Sequence, residues 1–173
     1  MPLDACTDLL PRTHLTLRAE NDGRIPWCGP AALALATGLP YPAACDVLRS
    51  ICPERYPAGR ELVTAWWRDL VAALETSGLR TAPVAIGSGQ RRGGLTLAGL
   101  CRRGLAPGWY LLRVTDHFLL LQITATGLAL LHDNRHTAAL PQTGSFARRL
   151  VTHAVRVEGV RMMAGSPALM LAG

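Results

Sequence analysis

The sequence predicts an α+β fold, and three observations predict it. Helical patterns run from Cys28 to Arg103 of the 173-residue chain, and strand-like runs follow from Trp109 to Val157. The change falls at Gly104, after which Leu, Ile and Val gather in short segments split by turn residues. An apolar fraction of 49% is that of a chain able to bury its own core, and the length suits a single domain spanning residues 1–173.

Residues 1–25 are expected to be irregular, since they hold Pro11 and the polar run Glu20-Asn21-Asp22-Gly23. Cys28 to Thr37 reads as a helix. Ala and Leu dominate it, Pro30 sits in the first turn where its missing N–H does no harm, and Gly38 follows its end. It carries no charge, as expected of a helix buried on all sides. Tyr41 to Ile51 reads as an amphipathic helix with Val47, Leu48 and Ile51 on one face, ended by Cys52-Pro53. Arg60 to Thr76 reads as a third helix whose stripe is Leu62, Trp66, Leu70, Ala73 and Leu74, with Gly78 after it. The pair Trp66-Trp67 is expected to split between core and surface. After the Gly-rich linker GSGQRRGG, Thr96 to Arg103 forms a short fourth helix. Strands are predicted at Trp109–Val114, His117–Thr124, Leu128–Asp133 and Leu150–Val157, with a hairpin turn at Thr126-Gly127. The apolar tail from about residue 160 ends in the uncharged stretch MMAGSPALMLAG.

Composition excludes several functions. The apolar stretches are too short for a membrane span. The N-terminus, MPLDACTDLLPRTHL, carries acids where a signal peptide carries positive charge, which predicts residence inside a cell or in a particle assembled there. The net charge of +6 is all arginine and is scattered, with adjacent pairs only at Arg91-Arg92, Arg102-Arg103 and Arg148-Arg149. No aromatic interleaving accompanies them, so nucleic acid is not an expected partner. Cys6, Cys28, Cys45, Cys52 and Cys101 are odd in number and lack Cys-x-x-Cys spacing. That argues against a disulfide framework and against structural zinc. His132 and His136 flank a strand end and do not share a helix face, so they do not read as a metal pair.

Cys28 stands apart from the other cysteines. It opens the uncharged helix in the stretch IPWCGPAALALATG, where unpaired backbone N–H groups favour a thiolate. A thiol nucleophile also needs a base held by a third group. In TDHFLLLQITATGLALLHDN, His117 opens one strand and Asp133-Asn134 ends the next, so the hairpin brings them side by side. Either Asp133 or Asn134 can orient the ring.

These motifs resemble those of the papain-like cysteine peptidases, and most closely the bacteriocin-leader peptidase domains of peptide-exporting transporters. The matching stretches are Cys28-Gly29-Pro30-Ala31, His117-Phe118-Leu119-Leu120 and Asp133-Asn134, within roughly Asn21 to Asn134. The layout is also similar to that of small phage and prophage proteins with a Trp-Cys-Gly-Pro motif. The resemblance implies a papain-like fold, with a central N-terminal helix packed on an antiparallel sheet of about four or more strands. It implies a thiol-dependent hydrolase of a peptide or other amide bond, with Cys28 as nucleophile, His117 as general base and acid, and Asp133, or secondly Asn134, as orienting group. It implies no cofactor and no metal, and a peptide or protein substrate. One departure stands out: the family's Gln ahead of the Cys, which helps bind the oxyanion, is absent. Asn21 lies near that position and can donate a hydrogen bond; ionised Asp22 cannot. Loss of such a donor typically costs a factor of about 10²–10³ in rate. The alternative expectation is therefore a weakened or inactive scaffold that binds, for example among the proteins of a phage-like particle. Acyl transfer by the same residues is a third.

Overall fold

The computed structural model describes residues 12–86, 94–140 and 146–161. Cys6, most of the Gly-rich linker and the tail beyond residue 161 lie outside the described residues. The described chain forms helices α1 (His14–Glu20), α2 (Cys28–Thr37), α3 (Tyr41–Ile51), α4 (Trp67–Thr76) and α5 (Leu97–Arg102). Its strands are β1 (Arg80–Pro83), β2 (Gly108–Val114), β3 (His117–Ile123), β4 (Ala129–His132), β5 (Thr137–Ala139) and β6 (Val151–Glu158). The six strands make one open sheet in the order β1-β6-β2-β3-β4-β5, antiparallel at every pairing. The α+β class is thus observed. No single helix among the described residues is long and apolar enough to cross a membrane.

The central strands are apolar on both faces because both faces are covered. Leu111, Phe118, Leu120, Val155 and Val157 pack with the cluster formed by α1 to α4. Tyr110, Leu112, Leu119, Leu121 and Ile123 pack on the other side with Leu97 and Leu100 of α5. Between the sheet and its helical neighbours lies α2, with every residue from Gly29 to Thr37 buried. Its one buried hydroxyl, on Thr37, donates back to the Leu33 carbonyl at 2.7 Å, so no polar group is stranded. Each fully buried leucine contributes about 1.5–3 kcal/mol of hydrophobic stabilisation. Gly38 ends the helix at a φ of 74°, a left-handed conformation that glycine adopts without strain.

Two expectations are corrected. Residues 1–25 are not irregular throughout: α1 forms at His14–Glu20, capped by the Thr13 hydroxyl, which accepts from Leu15 N, while Thr16 answers the Thr13 N–H. The helix expected from Arg60 begins only at Trp67. The Arg60–Trp66 segment is irregular, and at its end Tyr56 Oη takes the Trp66 N–H at 2.9 Å. The Tyr56 hydroxyl in turn donates to Asp69 Oδ2 at 2.7 Å, and Arg55 pairs with the same carboxylate. Trp66 is therefore no part of an apolar stripe. It is 55% exposed, between the guanidinium groups of Arg55 and Arg68, and Trp67 is the ring that stacks on Phe118. The edge strands β1 and β5 bring the antiparallel sheet to six strands, in keeping with the four or more expected.

Candidate active site

Three distant segments converge at the N-terminus of α2. Cys28 opens that helix, and no side chain caps its first turn. The half-buried sulfur is hydrogen-bonded by the His117 side chain and by the backbone N–H groups of Phe118 and Gly29. Burial alone pushes the thiol pKa up. The His117 bond, then the Phe118 N–H and the imidazolium charge, outweigh it, and the thiol titrates below its ordinary range.

His117 is delivered by the tight turn at Thr115-Asp116, where Asp116 takes a left-handed φ of 57° and Val114 pairs with His117. Its Nε2 lies 3.0 Å from Asp133 Oδ2, which leaves Nδ1 for the sulfur. Burial opposes the charged ring, but the hydrogen bonds to Asp133 and Cys28 prevail and push its pKa up to about 9.

Asp133 follows β4, whose register sets His132 opposite Leu120 of β3. Its side chain is only 1% exposed. Both oxygens are occupied: Oδ2 by His117, Oδ1 by the Arg135 N–H at 2.7 Å and the His136 N–H at 2.6 Å. Burial would raise this carboxyl, yet the His117 bond and the two amides hold it below the usual carboxylate range.

The choice left open between Asp133 and Asn134 is decided by geometry: Asp133 touches the ring. Asn134 instead donates from Nδ2 to the Pro26 carbonyl at 2.6 Å, tying the end of β4 to the loop that leads into Cys28. Asn21 is a correction. Its amide donates to the Arg24 carbonyl at 3.2 Å rather than to the sulfur's surroundings, and it lines a surface groove with Tyr41, Cys45 and Arg49, a groove whose lining does not include Cys28. The loop's path puts it there, since Asp22 and Gly23 both take left-handed φ values and turn the chain.

His132 belongs to the core. It is buried against Trp109 with ring centroids 5.1 Å apart, and burial pushes its pKa down to about 4, so it is neutral near pH 7. Among the described residues Cys28, Cys45, Cys52 and Cys101 are all free thiols.

Several supporting residues were not singled out from the sequence. Phe146 meets the His117 ring edge-on at 5.7 Å between centroids. Tyr41 Oη accepts from the Trp27 N–H at 3.1 Å, and the Trp27 indole donates to Glu61 at 2.7 Å, fixing the residue before Cys28. Neither Phe146 nor Tyr41 carries a motif, whereas Trp27 stands in the Trp-Cys-Gly-Pro stretch beside Cys28.

Gly29 is required by a close approach. A Cβ placed on it meets the Ala65 Cβ at 2.5 Å. Gly29→Ala is expected to push the Arg60–Trp66 segment off α2 and to destabilise the protein by about 1–3 kcal/mol. A thermal melt reads this directly, and an unchanged midpoint would contradict the close packing.

Comparison of the chain with protein-family models, with curated proteins and with solved structures gives no match.

Proposed function

We propose that the chain is a papain-like cysteine hydrolase that cleaves a peptide or other amide bond. The observation that carries this reading is the hydrogen-bonded series Cys28–His117–Asp133, in which the thiol titrates low and the imidazole high. Between the lowered thiol value and about pH 9, the favoured pair is thiolate and imidazolium. The layout supports the papain-like assignment: the thiol heads a buried helix, and the antiparallel sheet carries first His, then Asp.

The steps balance as follows. The Cys28 thiolate attacks the carbonyl carbon, an S–C bond forms, and the carbonyl π pair moves to oxygen, where the Cys28 N–H is the available backbone donor. As the tetrahedral species collapses, the C–N bond breaks and His117 gives its proton to the departing amine. Water then attacks the thioester, His117 takes the water's proton, and the S–C bond breaks to release the acid. Asp133 keeps the ring oriented throughout.

A second reading rests on Asn21. With that amide turned to Arg24, no side chain among the residues singled out from the sequence serves the oxyanion, which favours a slow enzyme or a binding scaffold.

Site-resolved iodoacetamide labelling over a pH series tests the proposal. Cys28 is expected to label near pH 6 while Cys45 and Cys101, whose thiols burial pushes up, do not. His117→Ala is expected to slow Cys28 labelling near pH 6 by about tenfold or more, since burial then acts unopposed by the ring. A Cys28 that stays inert until the ordinary thiol range, with or without His117, sinks the hydrolase. Labelling at low pH without turnover of any peptide library favours the scaffold.

A further inference from the structure

A groove of about 800 Å³ lies against the face of the site formed by His117 and Asp133. Its polar walls are one-sided in charge. Arg135, His136 and Arg149 line it, and Phe146 supplies an aromatic wall. The only acid in the lining is Asp133, whose carboxylate is enclosed and already engaged by His117 and two backbone amides. Neither guanidinium has an acidic partner among the described residues. Arg149 lies over the Phe146 ring at 4.9 Å, and Arg135 is exposed.

Direction follows from the chemistry. In the hydrolase proposed above, His117 protonates the departing amine, so that half of the substrate must lie on the imidazole side of the sulfur. His117 itself stands in the wall of this groove. A guanidinium recognises a carboxylate with two parallel N–H donors, and an aromatic wall holds the adjoining carbon chain.

We infer that the groove walled by Arg135, Arg149 and Phe146 is a carboxylate-recognition site for the leaving-group half of the substrate, so that the bond cleaved lies just ahead of an acidic residue or a free C-terminus. The inference rests on the hydrolase reading and narrows its substrate class to peptides that are anionic on the amine side. Arg135 and Arg149 both line this groove, and neither has an acidic partner among the described residues.

The test is protection of Cys28 from iodoacetamide near pH 7 at low salt. Two competitors are compared: the dipeptide Ala-Glu with free carboxylates, and Ala-Gln with its C-terminus amidated. Each variant is read as the ratio of labelling rates with and without the peptide, which cancels any change in intrinsic reactivity. Millimolar Ala-Glu is expected to slow labelling several-fold, and the amidated peptide is not. The double variant Arg135→Gln with Arg149→Gln is expected to abolish that difference, and Arg135→Lys with Arg149→Lys to recover only part of it, because an ammonium lacks the two-pronged donor set. Equal protection by both peptides, or protection that survives the Gln variants, overturns the carboxylate site while leaving the thiolate intact. A Cys28 that fails to label near pH 7 in the absence of peptide instead brings down the nucleophile, and the carboxylate site with it.

Discussion

Asp133→Asn is expected to lower amide hydrolysis by up to about 10⁴-fold, the loss that follows when the orienting carboxylate of a nucleophile–His–acid series becomes an amide. Papain-like enzymes that orient their His with Asn make this a sharp test, and the reason lies in the second oxygen. Asp133 uses Oδ2 for His117 and Oδ1 for the N–H groups of Arg135 and His136. An amide has one oxygen and one NH₂ group. If the oxygen serves the ring, the NH₂ faces two N–H donors; if it serves the backbone, the NH₂ faces Nε2 and forces the wrong tautomer on His117. With the negative charge gone, the alkaline limb of the pH–rate profile should also drop from about 9 toward the ordinary imidazole value. The conflict over the two oxygens is expected to cost about 1–3 kcal/mol of stability as well. Steady-state kinetics over pH and a melting curve read both effects. Full activity in the Asn variant, with the alkaline limb unmoved, would show that the carboxylate is not what holds the ring.

Asp69→Ala is expected to destabilise the fold by about 1–3 kcal/mol, because it leaves the buried Tyr56 hydroxyl without its acceptor. Asp69 accepts from Tyr56 Oη and Arg55, and the same Tyr56 oxygen holds the Trp66 N–H. Removing the carboxylate therefore releases the Arg60–Trp66 segment, whose Ala65 abuts Gly29 one residue from the nucleophile. The pH dependence follows from linkage. Burial pushes the Asp69 carboxyl up, but the bonds from Tyr56 and Arg55 outweigh it and hold the pKa below its ordinary value. A depressed carboxylate contributes stability that is present above the unfolded pKa of about 3.9 and is lost as pH falls through the folded value. The destabilisation caused by the substitution should therefore be full near pH 7 and shrink in the acid range below about pH 4. Denaturant titrations at several pH values measure it. A change of under about 1 kcal/mol near pH 7 would place Asp69 among weak surface pairs instead.

Much of the fold was legible because its signals are local. The run from Cys28 to Thr37 has no charge and ends at Gly38, and it is the enclosed helix the pattern implied. Tyr41–Ile51 and the β2–β3–β4 meander also lie within a residue or two of where their periods put them. The error at Arg60–Trp66 is instructive. Leu62 and Ala65 are buried, as a helical stripe would have them, but they reach the core from irregular backbone. What stops the helix is a hydroxyl from Tyr56 and a carboxylate from Asp69, partners that no local period encodes. The edge strands escaped notice for a related reason. Thr137–Ala139 is three residues long and Arg80–Pro83 has one half-buried and three exposed positions, so neither shows an alternation to read.

At the site, His117 and Asp133 were legible as neighbours because a hairpin turn fixes their register. Their meeting with Cys28 was not, since it depends on how α2 lies on the sheet. The division of labour between Asp133 and Asn134 rests on one residue of phase at a strand end, where the chain turns. Asn21 was placed by counting back from Cys28, and the count could not foresee that Asp22 and Gly23 would bend the loop away.

The enclosure of α2 sets up an uneven endurance between the partners of the site. Cys28, the proposed nucleophile, heads a helix buried from Gly29 to Thr37, whose amides should exchange with deuterium only when the whole molecule opens. The group that steers the imidazole sits at the junction of β4 with β5, a three-residue border strand. Fraying of that border would misalign the ring while the helix stays intact. Warming should thus silence turnover before circular dichroism records any melting.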